Sequence, residues 1–117
     1  MSITLYLIGI GFGNEKHVTE EAASTIKNCN LILIGKKKEE KSDIADLKRY
    51  ICNSFVKINT VNFQEFIIPE RQSSSEKYIN SVLEWHDKIA KTWIEIINEY
   101  TSKTEKMTLN VGIPIWG

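Results

Sequence analysis

The sequence predicts an α/β domain, a mainly parallel sheet of four or five strands with helices on both faces. Three observations carry that expectation. Residues 3–8 and 31–34 are short, apolar, largely β-branched or leucine-rich runs, the signature of strands buried on both faces of a parallel sheet. Between them lie a glycine-rich loop and an amphipathic stretch of helical length, which makes a βαβ unit. The 117 residues, 42% hydrophobic and 26% charged, make one ordinary globular domain over 1–117.

The elements follow in order. The first strand, Ile3 to Ile8, runs into Gly9-Ile10-Gly11-Phe12-Gly13-Asn14, where glycines at every second position permit positive φ and leave backbone uncovered for a ligand. Thr19 is placed to cap a helix whose first turn carries Glu20 and Glu21, the favourable charge for that end. Ala22, Ala23 and Ile26 give it an apolar stripe, and it ends near Asn28. With Leu31 to Ile34 as the second strand, Leu5, Leu7, Leu31 and Leu33 are expected to be buried in adjacent parallel strands. The lysine-rich run from Lys36 to Lys41 reads as a solvated loop, and Ser42 can cap a helix with Ile44, Leu47 and Ile51 at helical spacing.

A third strand is expected within Phe55 to Pro69, best placed at Phe66-Ile67-Ile68. Ser73 and Glu76 have capping-box spacing. The longest helical pattern has its apolar positions from Ile79 through Trp93 and Ile97 to Tyr100 and reads as a helix of some 25 residues, about 37 Å. The last apolar strand, Leu109 to Trp116, contains Pro114, which cannot donate to a ladder and therefore belongs at an edge, a strand end or a bulge. Gly117, directly after that strand, stands where an α/β protein opens a functional loop, so the chain reads as cut off there.

Composition excludes several classes. Fifteen basic and fifteen acidic residues leave no net charge, which argues against a nucleic-acid protein. No apolar run is long enough to span a membrane. The N-terminus has no basic segment of a signal peptide, and Cys29 and Cys52 read as free thiols in a reducing cytoplasm. The 18 Ile, 13 Lys and 9 Asn all have A/T-rich codons, so genome composition explains the lysines more simply than a basic patch does. His17, His86, Cys29 and Cys52 show no metal-ligand spacing, so no metal site is expected. His86 reads as a core or cleft histidine, with a substrate role left open, and Trp85 and Trp93 as core. The glycine spacing is neither the G-x-G-x-x-G of dinucleotide folds nor a P-loop, and Lys36 stands where a ribose-binding acid would close the second strand. From the glycines alone, a ligand loop and a plain tight turn both remain open.

The segment Tyr6-Leu-Ile-Gly-Ile-Gly-Phe-Gly-Asn-Glu-Lys-His-Val-Thr19 resembles the opening of the tetrapyrrole methylases: an apolar strand, G-x-G-x-G, an Asp or Asn, and a Thr that starts the first helix. Three later stretches narrow the resemblance to a deacetylating corrin-ring methyltransferase of cobalamin synthesis. They are residues 40–52, then Ile68-Pro69 with Arg71, and Tyr78 followed by Val82-Leu-Glu-Trp-His86 with Ala90. Residues 111–117 are similar to the strand that leads into the family's G-D-P-x-x-Y loop.

The resemblance implies an enzyme using S-adenosylmethionine, held between this domain and a C-terminal domain that these 117 residues do not contain. Carried over position by position, it implies cofactor contacts at Gly9, Gly11, Phe12, Gly13, Trp116 and Gly117. Lys36, Lys37 and His86 are candidates for the carboxylates of a corrinoid substrate, with Lys38 beside them. Methyl transfer to a ring carbon is mostly positioning and desolvation, which suits a sequence without a Ser-His-Asp or Cys-His signature, and no catalytic residue is assigned. Alone, the chain is expected to bind the cofactor weakly or not at all. It is expected to form a homodimer through residues 107–117, with Ile113, Ile115 and Trp116 uncovered, or to need a partner chain supplying the C-terminal half. The alternative is a non-enzymatic free-standing domain that binds a small ligand or itself.

Overall fold

The computed structural model describes residues 2–11, 13–37, 43–56, 61–69, 78–104 and 108–116, the first five of α3 by their backbone alone. The order is β1 (Ser2–Gly9), a 3-10 turn (Glu15–His17), α1 (Glu20–Lys27), β2 (Leu31–Lys37), α2 (Asp43–Asn53), β3 (Asn62–Ile68), α3 (Tyr78–Ser102) and β4 (Thr108–Ile115). All strand pairs are parallel, in the order β1-β4-β2-β3. Parallel strands place all four C-terminal ends along one edge of the sheet, the edge at which open α/β sheets bind ligands.

Local chemistry sets the first connection. The Thr19 hydroxyl accepts the Ala22 N–H at 3.1 Å and caps α1. The Asn14 side chain accepts the Lys16 N–H at 2.8 Å and caps the 3-10 turn.

Helices cover both faces. On one, α1 and α2 bury Ile26, Ala45, Ile51 and Cys52 against Ile8, Ile32 and Ile34 of the sheet. On the other, α3 lays Ile97, with Trp93, Ile96 and Tyr100, over Leu31, Leu33, Phe66, Leu109, Val111 and Ile113. The Phe66 and Trp93 rings meet edge to face, 6.3 Å apart.

Several expectations need correction. β4, not β2, is the neighbour of β1, so Leu5 and Leu7 do not lie beside Leu31 and Leu33. Leu31 and Leu33 are buried, but Leu5 is 42% and Leu7 62% exposed. Among the described residues β1 is the edge strand and α3 packs over β4, β2 and β3, so a strand that reads as buried on both faces is half bare. β4 is no terminal edge strand either: it lies inside the sheet, with Ile113 and Pro114 buried and Ile115 and Trp116 exposed. β2 continues through Lys36 and Lys37, which pair with Ile67 and Ile68 rather than opening a loop. β3 starts at Asn62, earlier than the Phe66 expected. In α2 the buried side is Ala45, Ile51 and Cys52, whereas Ile44 and Leu47 are exposed. The α1 and α3 spans agree with the sequence pattern. Ser42, Ser73, Glu76 and Arg71 lie outside the described residues.

Candidate functional site

The ladder between β2 and β4 is short. It holds at Leu31↔Val111 and Ile32↔Gly112 and at no later position among the described residues. An asparagine clip fixes its N-terminal end: the Asn30 side chain accepts the Asn110 N–H at 2.8 Å, and the Asn110 side-chain amide donates to the Asn28 carbonyl at 3.1 Å. The β1–β4 ladder, by contrast, runs the whole length to Gly9↔Ile115 and is extended by Ile10 N–H donating to the Ile115 carbonyl at 2.9 Å. β4 therefore stays with β1 and parts from β2 towards their C-terminal ends. Pro114 sits in the parted stretch, where its missing N–H leaves no gap in the β2 ladder.

This crevice gathers part of the predicted site. Gly9 and Ile115 end its first bank, with Trp116 directly beyond. Ile10 is fully buried and pins the loop to the core. Gly11 has φ +79° and Gly13 φ +109°, so both adopt the left-handed conformations that glycine tolerates. At Gly11 the absent Cβ serves the chain's own packing, since a methyl there would lie 2.5 Å from the His17 Cβ. At Gly13 a methyl would meet, among the described residues, the Leu47 side chain at 3.3 Å. Lys36, half-buried, and Lys37, exposed, end the second bank. Phe12, Gly117 and Lys38 lie outside the described residues.

His86 is carried beside the end of β3, the strand next to the second bank. The Trp85 indole N–H donates to the Pro69 carbonyl at the end of β3 and ties the first half of α3 to the far flank of the sheet. His86 lies exposed beside Trp85, ring centres 5.3 Å apart, so it is not a core residue. β3 adjoins β2, whose Lys36 and Lys37 pair with Ile67 and Ile68.

The four residues weighed as metal ligands are also dispersed. His17 is exposed on the 3-10 turn, while Cys29 and Cys52 are free and buried in the core on the α1–α2 side. Among the described residues, no group of three or more His, Cys, Asp or Glu could hold a metal. Burial pushes the Cys29 thiol up to about 11. It pushes Cys52 up to about 12, with Cys29 adding to the rise and Lys48 opposing it. Such thiols stay protonated and unreactive at neutral pH.

Sequence reasoning missed the contribution of α2. Lys48 sets its ammonium 5.4 Å from the centre of the Trp116 ring, a cation–π contact that covers the end of β4. Leu47 lies against Gly13. Adjacent residues of one helix thus reach both parts of the first bank, a relation visible only once α2 is docked. A separate open groove of about 470 Å3 runs along the flank of β1, lined by Tyr6, Leu7, Gly9, Thr19 and Thr25 among others.

A parallel sheet that parts beside a glycine loop is one of several ways to build an α/β ligand site, and comparison with known proteins gives the family. The family model of the tetrapyrrole (corrin/porphyrin) methylases matches residues 4–105. The chain belongs to the tetrapyrrole methylase family. A curated relative, the precorrin-6A synthase [deacetylating] of Sinorhizobium sp, is 30% identical over 95 residues. Those residues are 81% of this chain and 36% of the relative, so the matched part of the chain spans about a third of the relative's length.

S-adenosylmethionine is the cofactor the family generally uses. The residues at the crevice fit one wall of a site for it. The pinned glycine loop offers backbone at Gly9, Gly11 and Gly13, and Trp116 offers a half-open aromatic surface at the adjoining strand end.

Proposed function

We propose that this chain forms the cofactor-facing wall of an S-adenosylmethionine-dependent corrin-ring methyltransferase of cobalamin synthesis, of the precorrin-6A synthase kind. One observation carries the reading: the glycine loop with Gly11 and Gly13 in left-handed conformations lies at the C-terminal end of β1, beside Trp116, on the sheet edge that suits a ligand. The family match and the precorrin-6A synthase relative support the substrate class, a polyanionic corrinoid.

In this reading Gly9, Gly11, Phe12, Gly13, Trp116 and Gly117 hold the cofactor, which supplies an electrophilic methyl group when bound. The chain's own work is to orient and to exclude water. Main-chain N–H and C=O groups of the loop give directional hydrogen bonds, and the buried Ile10 keeps the loop from yielding. Lys48 fixes the Trp116 ring. Lys36 and Lys37, on the opposite bank, meet substrate carboxylates. His86, beside the end of β3, meets a substrate that reaches past the second bank. The second wall of the site comes from polypeptide equivalent to the remainder of the relative, and the protein works in the cytoplasm, where its two thiols stay reduced.

The test mixes the chain with a polypeptide carrying the remaining two-thirds of the Sinorhizobium relative and follows labelled methyl from S-adenosylmethionine into a precorrin. Transfer that needs both polypeptides is expected. A mixture that associates yet transfers no methyl, or labelling that does not depend on this chain, would contradict the proposal.

A further inference from the structure

Trp116 stands one residue past the last ladder bond, the Ile10 N–H on the Ile115 carbonyl, so the sheet stops short of it. Its ring is met from α2 instead. The Lys48 ammonium lies over the indole, 5.4 Å from its centre, within the range of a cation–π contact. Lys48 is half-buried, and its charge is felt on the core side of α2, where it opposes the rise of the Cys52 thiol. The adjacent Leu47 lies against Gly13. Consecutive residues of one helix therefore back both the glycine loop and the aromatic end of β4.

The ammonium also acts across the ring. With one face of the indole taken and the residue still 37% exposed, the surface open to a ligand is the other face and the ring edge. A second cation held on that other face would lie roughly 11 Å or less from the Lys48 ammonium, with ring and protein rather than water between them, and the like charges repel. A neutral planar ring meets no such repulsion and stacks on an indole as any base does. The contact thus sorts ligand groups by charge. S-adenosylmethionine carries one group of each kind, an uncharged purine and a cationic sulfonium.

We propose that Lys48 is a positioning residue that reserves the open face of Trp116 for the purine of S-adenosylmethionine and keeps the sulfonium off it. The inference rests on the cofactor reading above and adds which part of the cofactor this wall takes. Lys48 acts through the ring and needs no contact with the cofactor. The sulfonium, turned away from Trp116, is left for the ring carbon that attacks its methyl group.

The test titrates the 117-residue chain with adenosine and, separately, with trimethylsulfonium at matched ionic strength, following the Trp116 indole N–H by two-dimensional NMR. Adenosine is expected to shift that resonance saturably in the millimolar range, and trimethylsulfonium at the same concentrations to leave it in place. Lys48→Met keeps the length and helix propensity of the side chain and removes its charge. It is expected to weaken adenosine at least threefold, because the ring is less fixed, and to let trimethylsulfonium shift the indole. Lys48→Arg, whose guanidinium also stacks on aromatic faces, is expected to restore the parent preference. In the ligand-free chain the Lys48 ε-methylene protons are expected upfield, under the ring current, and back at their ordinary position in Trp116→Leu. That reading keeps the inference refutable even if Lys48→Met fails to fold. Equal shifts by the two probes, no shift by either, a Lys48→Met chain with the parent preference, or Lys48 methylene protons at ordinary positions in the parent would overturn it. Shifts of the loop and Trp116 by S-adenosylmethionine without any preference between the probes would sink this inference alone. No shift by S-adenosylmethionine itself would sink the cofactor reading as well.

Discussion

Replacing Gly11 by alanine tests how the glycine loop is built. Two separate penalties are expected. At φ +79° an alanine pays for the left-handed conformation, about 1–2 kcal/mol. Its methyl also falls 2.5 Å from the His17 Cβ, and the nearest other atom is the His17 carbonyl oxygen at 3.3 Å. A Cβ and a main-chain oxygen cannot swing aside as a side-chain tip can, so the 3-10 turn has to move, at about 1–3 kcal/mol. The sum, about 2–5 kcal/mol, is a large share of the 5–15 kcal/mol typical of a domain. His17→Gly removes the first contact and leaves φ untouched. In that background Gly11→Ala is expected to cost only about 1–2 kcal/mol, and the difference is the coupling energy. Urea denaturation of the four proteins measures it. The same cost in both backgrounds, or a cost below about 0.5 kcal/mol in the parent, would refute the packing argument.

Three further predictions follow from the core and from α3. Gly112→Ala would place a methyl 2.8 Å from the Cys29 sulfur and 2.9 Å from the Ile8 Cδ1, so thermal melts should show a loss of about 1–3 kcal/mol, largely relieved by Cys29→Ala with Ile8→Val. Because burial raises both thiols from 9.0, to about 11 and about 12, the folded state holds their protons longer than the unfolded state. The thiols' contribution to stability is therefore flat below pH 9 and falls above it by about 1.4 kcal/mol per thiol per pH unit, a slope that Cys29→Ala should halve in urea titrations between pH 9 and 11. Trp85→Phe loses the indole bond to the Pro69 carbonyl, and denaturation should register a cost of about 1 kcal/mol.

What the sequence disclosed was local. The Thr19 cap, the α1 stripe and the 25-residue α3 follow from side chains close together in the chain, and each appears where the pattern puts it. What it hid was the order of the strands. An apolar run such as Ile3 to Ile8 reads the same at the centre of a sheet and at its edge, and only the insertion of β4 beside β1 makes it an edge. Pro114 pointed to an edge, a strand end or a bulge. The structure chooses the strand end, because the ladder to β2 has already stopped. Asn30 and Asn110, counted in the sequence as a composition effect, are 80 residues apart and clasp two strands, a relation with no local signal. At the site, the loop glycines and Trp116 were legible as a motif. Lys48 was not, because its place over Trp116 depends on how α2 docks.

The central claim is that residues 9–13 and 116–117 form one wall of an S-adenosylmethionine site. Titration of the isotopically labelled chain with S-adenosylmethionine, followed by amide and indole resonances in two-dimensional NMR, tests it most directly. With one wall present, roughly half of the contacts are lost and affinity falls tenfold for every ~1.4 kcal/mol. The account predicts saturable, millimolar-range shifts confined to the glycine loop, the end of β4 and the Trp116 indole. Shifts centred on α3 or on the flank of β1, no shifts at several millimolar cofactor, or micromolar saturation by this chain alone would contradict it.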